Sequence, residues 1–186
     1  MKNFKRENSL FSLCGLNCGL CPMNLNQNCP GCGGGKGNQS CSIAKCSLQH
    51  KNVEYCYQCE NYPCPKYDHI DEFDSFITHQ RQRLDMEKFK ALGAERYLAE
   101  QQRKKALLTH LLDAYNDGRK KTLFCVAVNL LELHNLENII SELDENTSTL
   151  TLKEKSAHAA SLLQAAAEKN LIILKLRKKK GPGKPN

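Results

Sequence analysis

Ten cysteines lie between Cys14 and Cys64, and only Cys125 of the eleven lies outside that stretch. They are spaced Cys14-x3-Cys18-x2-Cys21, Cys29-x2-Cys32, Cys41-x4-Cys46 and Cys56-x2-Cys59-x4-Cys64. Two residues between cysteines let one tight turn offer both sulfurs to a single ion, while the intervening amides stabilise the thiolates. Three such pairs within so short a stretch are a strong metal-binding signal, where one alone is weak.

Ten sulfurs suit two tetrahedral zinc sites of four cysteines each with two left over, or one zinc and one iron–sulfur cluster. Zinc, about two per chain, is the expected cofactor, and a [4Fe–4S] cluster is the alternative. The segment Cys29-Pro-Gly-Cys32-Gly resembles the hairpin knuckle of zinc ribbons, with Cys56 and Cys59 as its natural partner. The other six cysteines then share a second site, and spacing does not say which four of them bind. Cys14-x3-Cys18-x2-Cys21 also has the spacing with which radical S-adenosylmethionine enzymes hold a cluster. Those enzymes carry it on a barrel of alternating strands and helices, for which no pattern follows here. A fully ligated cluster held by these three plus Cys64 stays open.

Other conspicuous residues have plainer readings. Gly31-Cys-Gly-Gly-Gly-Lys36 lacks the outer positions of a phosphate loop and reads as a flexible knuckle turn. His50 and His69 flank the cysteines and read as exposed histidines rather than ligands. Cys125, among Leu123, Phe124 and Val126, reads as a small buried hydrophobe. Asp113, Tyr115, Asn116, Asp117, Gly118 and Arg119 read as a helix stop.

Apolar content between residues 14 and 64 is thin: Leu16, Leu20, Met23, Leu25, Ile43, Leu48, Val53 and three tyrosines. Burying so few side chains cannot offset the entropy of ordering this stretch, so a staple is required. The start of the chain is basic but has no apolar core of about 7–15 residues, which argues against a secretory signal. The expectation is therefore a cytoplasmic protein, in which clustered thiols are metal-bound rather than crosslinked. A secreted chain would turn the same spacing into a disulfide scaffold with one odd thiol.

The net charge of +7 is local. Lys175, Arg177, Lys178, Lys179, Lys180 and Lys184 supply six positives within the last twelve residues. Removing them from the 27 Lys and Arg leaves 21 against 20 Asp and Glu, so no basic face is expected on the folded part. A protein is the expected partner ahead of nucleic acid. No stretch approaches the roughly 18 apolar residues of a membrane span, so no membrane partner is expected.

The elements that position the cysteines divide the chain into a lead (1–13), a cysteine-rich module (14–66), a helical domain (67–177) and a basic, disordered tail (178–186). The module reads as loops and turns. A short helix is expected from about Tyr67 to His79, then a segment capped by Asp85 that carries Met86 and Phe89 and loosens at Gly93. A third helix runs from about Ala94 to Tyr115 and stops at Asn116-Asp-Gly118. Leu123, Val126, Leu130, Leu133, Leu136, Ile140 and Leu143 recur at spacings of three and four and predict one continuous helix. Thr151 and Glu154 form a capping box for an Ala-rich helix ending near Asn170, and Leu171 to Leu176 reads as one short strand. The fold class is mainly α, with an irregular metal-bound module ahead of a small helical bundle. Chelation is expected to unfold the module and spare the helices from Asp85 onward.

The strings Cys14-Gly-Leu-Asn-Cys18-Gly-Leu-Cys21-Pro, Cys29-x-Gly-Cys32, Cys41-Ser-Ile-Ala-Lys-Cys46 and Cys56-x2-Cys59-Glu-Asn-Tyr-Pro-Cys64 resemble, in order, the cysteine signature of a bacterial and archaeal family known as domain of unknown function 3795. The resemblance covers roughly residues 14 to 75. The turn from Tyr115 to Arg119, followed by Leu123 to Val128, is similar to a helical extension carried by some members. What the resemblance implies is metal binding through these cysteines, with no catalytic residue to carry over. One departure is Ala44, where the family often has arginine. Without an acid–base or nucleophile set, the reading leans away from an enzyme and towards a zinc-stabilised binding module. The alternative is an iron–sulfur protein with a redox or cofactor-handling role.

Overall fold

The computed structural model describes residues 3–36 and 41–179 and is mainly helical. Seven α-helices are formed among the described residues: α1 Pro22–Leu25, α2 Ser42–Gln49, α3 Gln82–Leu92, α4 Ala94–Ala114, α5 Lys121–Leu130, α6 Leu133–Asn146 and α7 Leu152–Lys169. Three 3-10 turns, Cys18–Leu20, Cys56–Gln58 and Pro65–Tyr67, punctuate the cysteine-rich segment. None of the helices is long and apolar enough to cross a membrane. Most of the expected tail, residues 180–186, lies outside the described residues.

Helix α4 follows the expected pattern. Tyr97, Lys104, Leu108 and Leu111 fall on one buried face at helical spacing, and Gly118 (φ +91°) sits in the turn after the helix end. Helix α7 begins as expected. The Thr151 amide donates to Glu154 Oε2 at 2.9 Å and the Glu154 amide to Thr151 Oγ1 at 3.4 Å, which closes the reciprocal cap. Around these, α5 is buried on nearly every side, from Phe124 to Leu130, and shares one core with α4, α6 and α7.

Five expectations fail, three of them to a tertiary contact. The stripe from Leu123 to Leu143 is not one helix, because Leu131 and Glu132 are extended between α5 and α6. Lys104, itself buried, donates to the Leu131 carbonyl at 2.7 Å, and Glu132 meets Arg81 at 2.8 Å and Lys88 at 3.2 Å. Those bonds claim groups that a continuous helix would have kept, while the apolar spacing runs straight through the break.

No helix forms over 67–79. Only the turn Pro65–Tyr67 is helical, His69 takes φ +57°, and the Asp74 carboxylate accepts from the His79 amide at 2.6 Å and from the Arg177 amide at 2.6 Å. A short acidic side chain that binds backbone amides competes with helix formation. The same clamp holds the segment after α7 as an irregular strap whose Leu171 and Ile173 are exposed, and no strand exists among the described residues. Asp85 does not cap α3 but lies inside it, on the buried face. Finally, the module is not all loop, since α2 is a helix of eight residues that buries Ala44 and Ser47 and carries Cys46.

The lead and the cysteine-rich segment pack directly on the helices. Phe11, fully buried, stacks on Phe89 with ring centroids 4.8 Å apart, and lies 4.8 Å from Tyr97 and 5.9 Å from Tyr55. Leu20 enters the core of the helical bundle beside Leu108, Leu111 and Phe124. At Gly15 (φ +98°) the backbone lies against the Gln82 carbonyl so closely that any Cβ would collide with it. Phe11, Leu20 and Tyr55 thus share the interior of α3, α4 and α5.

Candidate metal centre

The two best-formed Cys-x2-Cys turns are near copies of each other. Cys18–Leu20 and Cys56–Gln58 are both 3-10 turns, closed by the Cys21 amide on the Cys18 carbonyl at 3.1 Å and by the Cys59 amide on the Cys56 carbonyl at 3.0 Å. The second cysteine leaves each turn with nearly the same backbone, φ −77°, ψ 134° at Cys21 and φ −78°, ψ 135° at Cys59. The third pair is held differently: the Cys29 amide donates to Met23 O at 3.1 Å and the Cys32 amide to Ser9 O at 2.8 Å. At Gly31 (φ +87°) a side chain would strike Ser9 O, so only glycine lets this hairpin lie against the lead.

All ten head cysteines are free thiols, and nine are partly buried, Cys41 alone being exposed. Burial pushes the Cys14 thiol up to about 12, against the Ser12 hydroxyl 3.3 Å away, with the neighbouring thiols of Cys32, Cys41 and Cys56 raising it further. Burial also drives Cys18 strongly upward, with Cys32, Cys14 and Cys21 as its charge neighbours, and takes Cys56 up to about 11. These thiols stay neutral at pH 7 and are poor nucleophiles, since the thiolate is the reactive species. The surroundings nevertheless prepare them for negative charge. Amides of Met23 and Asn24 face the Cys21 sulfur, that of Leu13 faces Cys32, and that of Cys32 faces Cys18. Burial raises the Cys32 thiol, and the Arg6 guanidinium, almost fully buried, donating to Phe11 O at 2.9 Å and ion-paired with Glu54 Oε1 at 3.1 Å, opposes that shift.

The structure brings Cys46, Cys56, Cys59 and Cys64 to the lining of one small crevice, with open space of about 30 Å³, alongside His50 and Tyr67. The expected pairing of Cys56 and Cys59 with Cys29 and Cys32 is not what lines it. His50 Nδ1 sits 2.9 Å from the Cys46 carbonyl and 3.5 Å from its sulfur, whereas His69 is exposed beside Glu72. The remaining set, Cys14, Cys18, Cys21, Cys29, Cys32 and Cys41, is linked pairwise: Cys18 to Cys14, Cys21 and Cys32, and Cys21 to Cys29. Among the described residues no three His, Cys, Asp or Glu side chains are already gathered in an ion-holding arrangement. Cys125 is a buried small residue of α5, its thiol pushed up to about 11 by burial. The polar cluster at 116–119 is a helix-ending turn, with Asn116 Oδ1 accepting from the amides of Gly118 and Lys120.

Spacing gives no warning of the polar wedge behind the first cysteine turn. Asn17, between Cys14 and Cys18, donates to Asp85 Oδ2 at 2.9 Å and accepts from the Tyr97 hydroxyl at 3.0 Å. Gln82 donates to the Cys14 carbonyl at 3.1 Å. Burial raises the Asp85 carboxyl from 3.8 to about 6, although Arg81, Lys104 and Lys88 oppose the shift. A carboxyl whose folded value is raised gives stability that is complete below the unfolded value and lost as pH climbs through the folded one. Ionising Asp85 at pH 8 therefore costs on the order of 3 kcal/mol, about half of it arising between pH 5 and pH 8. Asp85→Asn keeps an oxygen for Asn17 and is expected to gain about 1.4 kcal/mol on wild type over that interval. Urea denaturation of both proteins at the two pH values checks this, and a pH-independent difference contradicts it.

No protein-family model, curated protein or solved structure matches this chain.

Proposed function

We propose that this protein is a metal-binding protein in which the head cysteines hold about two zinc ions, each by four thiolates, and that the stapled module presents a surface to a protein partner in the cytoplasm. The observation that carries the proposal is the set of ten free thiols packed into one partly buried segment, several with backbone amides directed at their sulfurs. Neutral sulfur gains little from such donors, whereas a metal-bound thiolate gains much. The donor set fits zinc, which accepts sulfur in tetrahedral sites and fills them without redox chemistry. Binding releases the protons of the coordinating thiols. The cysteine spacing shared with domain of unknown function 3795 agrees with this reading, as does the near-neutral charge of the folded part.

An iron–sulfur cluster is the second reading, favoured by the Cys14-x3-Cys18-x2-Cys21 spacing and by the mutual nearness of Cys14, Cys18, Cys21 and Cys32. The small crevice at Cys46, with open space of about 30 Å³, has room for an ion. Elemental analysis of anaerobically purified protein tests the proposal. The expected result is colourless protein with about two zinc per chain and no iron. Brown protein with broad absorption near about 400 nm would replace zinc by a cluster, and metal-free folded protein would end both readings.

A further inference from the structure

Resting on the metal-binding reading, the geometry points to Cys46, Cys56, Cys59 and Cys64 as the four ligands of one ion, with the Tyr67 hydroxyl as the hydrogen-bond donor that caps the Cys56 sulfur. All four cysteines and Tyr67 line the same crevice. They reach it from three separate local structures. Cys46 comes from α2, Cys56 and Cys59 from the two ends of one 3-10 turn, and Cys64 from the residue before the turn Pro65–Tyr67. Cysteines brought to one crevice from different backbone segments can surround an ion, which one turn alone cannot do.

Tyr67 supplies the independent observation. Its residue is 2% exposed, and its hydroxyl oxygen is buried without a partner in good hydrogen-bonding geometry, although the Cys56 thiol faces it closely enough for each to perturb the other. An unsatisfied buried hydroxyl is a standing cost in a folded protein, and a neutral thiol relieves it poorly. A metal-bound thiolate is a full acceptor and relieves it. The ring has no freedom to look elsewhere: its edge packs on Tyr62, with centroids 4.9 Å apart, and the Arg83 guanidinium bonds the Tyr67 carbonyl. Tyr67 is thus a positioning residue, held by the packing around it, that orients a ligand and spreads its charge. His50 stands at the same crevice with its ring nitrogen on a backbone carbonyl, so it is not needed as a fifth donor.

The full chain loaded with cadmium-113 provides the test, because metal–proton couplings identify ligands without altering any of them. One cadmium resonance is expected to couple to the β-protons of Cys46, Cys56, Cys59 and Cys64. Coupling of that ion to any other cysteine, or division of the four between two ions, overturns the assignment. Tyr67→Phe removes only the hydroxyl. It is expected to shift that resonance alone and to weaken zinc at that site by about 10- to 100-fold in chelator competition. Unchanged affinity and an unmoved resonance overturn the role of Tyr67. Failure of wild type to bind any metal is a separate outcome that removes the metal reading itself.

Discussion

Removing metal from this protein at neutral pH is expected to unfold the cysteine-rich segment and the helical bundle together, in one transition. Structural zinc in small cysteine sites contributes about 10–16 kcal/mol, whereas a whole domain is stable by only about 5–15. The spacing of elements along the chain suggests that helices from Asp85 onward would survive, but the packing argues otherwise. Phe11 and Tyr55 form one buried cluster with Met86, Phe89 and Tyr97, and Leu20 belongs to the core that holds α4, α5 and α6. Exposing Phe11, Leu20 and Tyr55 would cost about 1.5–3 kcal/mol each. The total approaches the entire stability of the bundle. Far-ultraviolet circular dichroism during chelation should therefore lose the signal of α3 to α7 along with that of the short head helices. A residual spectrum that keeps those long helices would show two independent units.

The second large effect is expected from Phe11→Ala. Phe11 is fully buried and in aromatic contact with Phe89, Tyr97 and Tyr55, so truncation opens a cavity at the joint between head and helices. Cavities of this kind cost about 3–5 kcal/mol, and the lost aromatic pairs belong to the same figure. Denaturation of the metal-loaded variant in urea should show that loss. Because the ring ties the lead to α3 and α4, the variant should also release zinc to a chelator more readily than wild type. A loss below about 1 kcal/mol would be a surface effect and would mean that the ring is not the joint described here.

How far the sequence could be read follows from the range of the forces involved. The capping box at Thr151 and Glu154 and the stop after Ala114 are set by neighbours three or four residues away, and both stand where their residues predict. The break at Leu131 and Glu132 comes from Lys104, Arg81 and Lys88, which are far away in the chain. Periodicity runs through that break because both helices bury the same stripe, so no local pattern could reveal it. Residues 67–79 failed as a helix for a related reason, since Asp74 binds the distant backbone of Arg177 as well as the near amide of His79. Helix α2 was missed because a helix of eight residues with two buried side chains gives little periodic signal.

The cysteines show the same division between near and far. Spacing alone determined that the chain carries a thiol-rich segment with three tight Cys-x2-Cys turns, that its own apolar side chains are too few to fold it, and that mainly helical structure follows. Each of these is a property of adjacent residues or of composition. Which sulfurs face one another was decided only when α2 and two 3-10 turns met around Tyr67. So was the burial of Asn17 between Asp85 and Tyr97, and that of Phe11 among the rings of α3 and α4. Those contacts join groups tens of residues apart, and only the packing of the folded chain selects among the many pairings that the spacing allows.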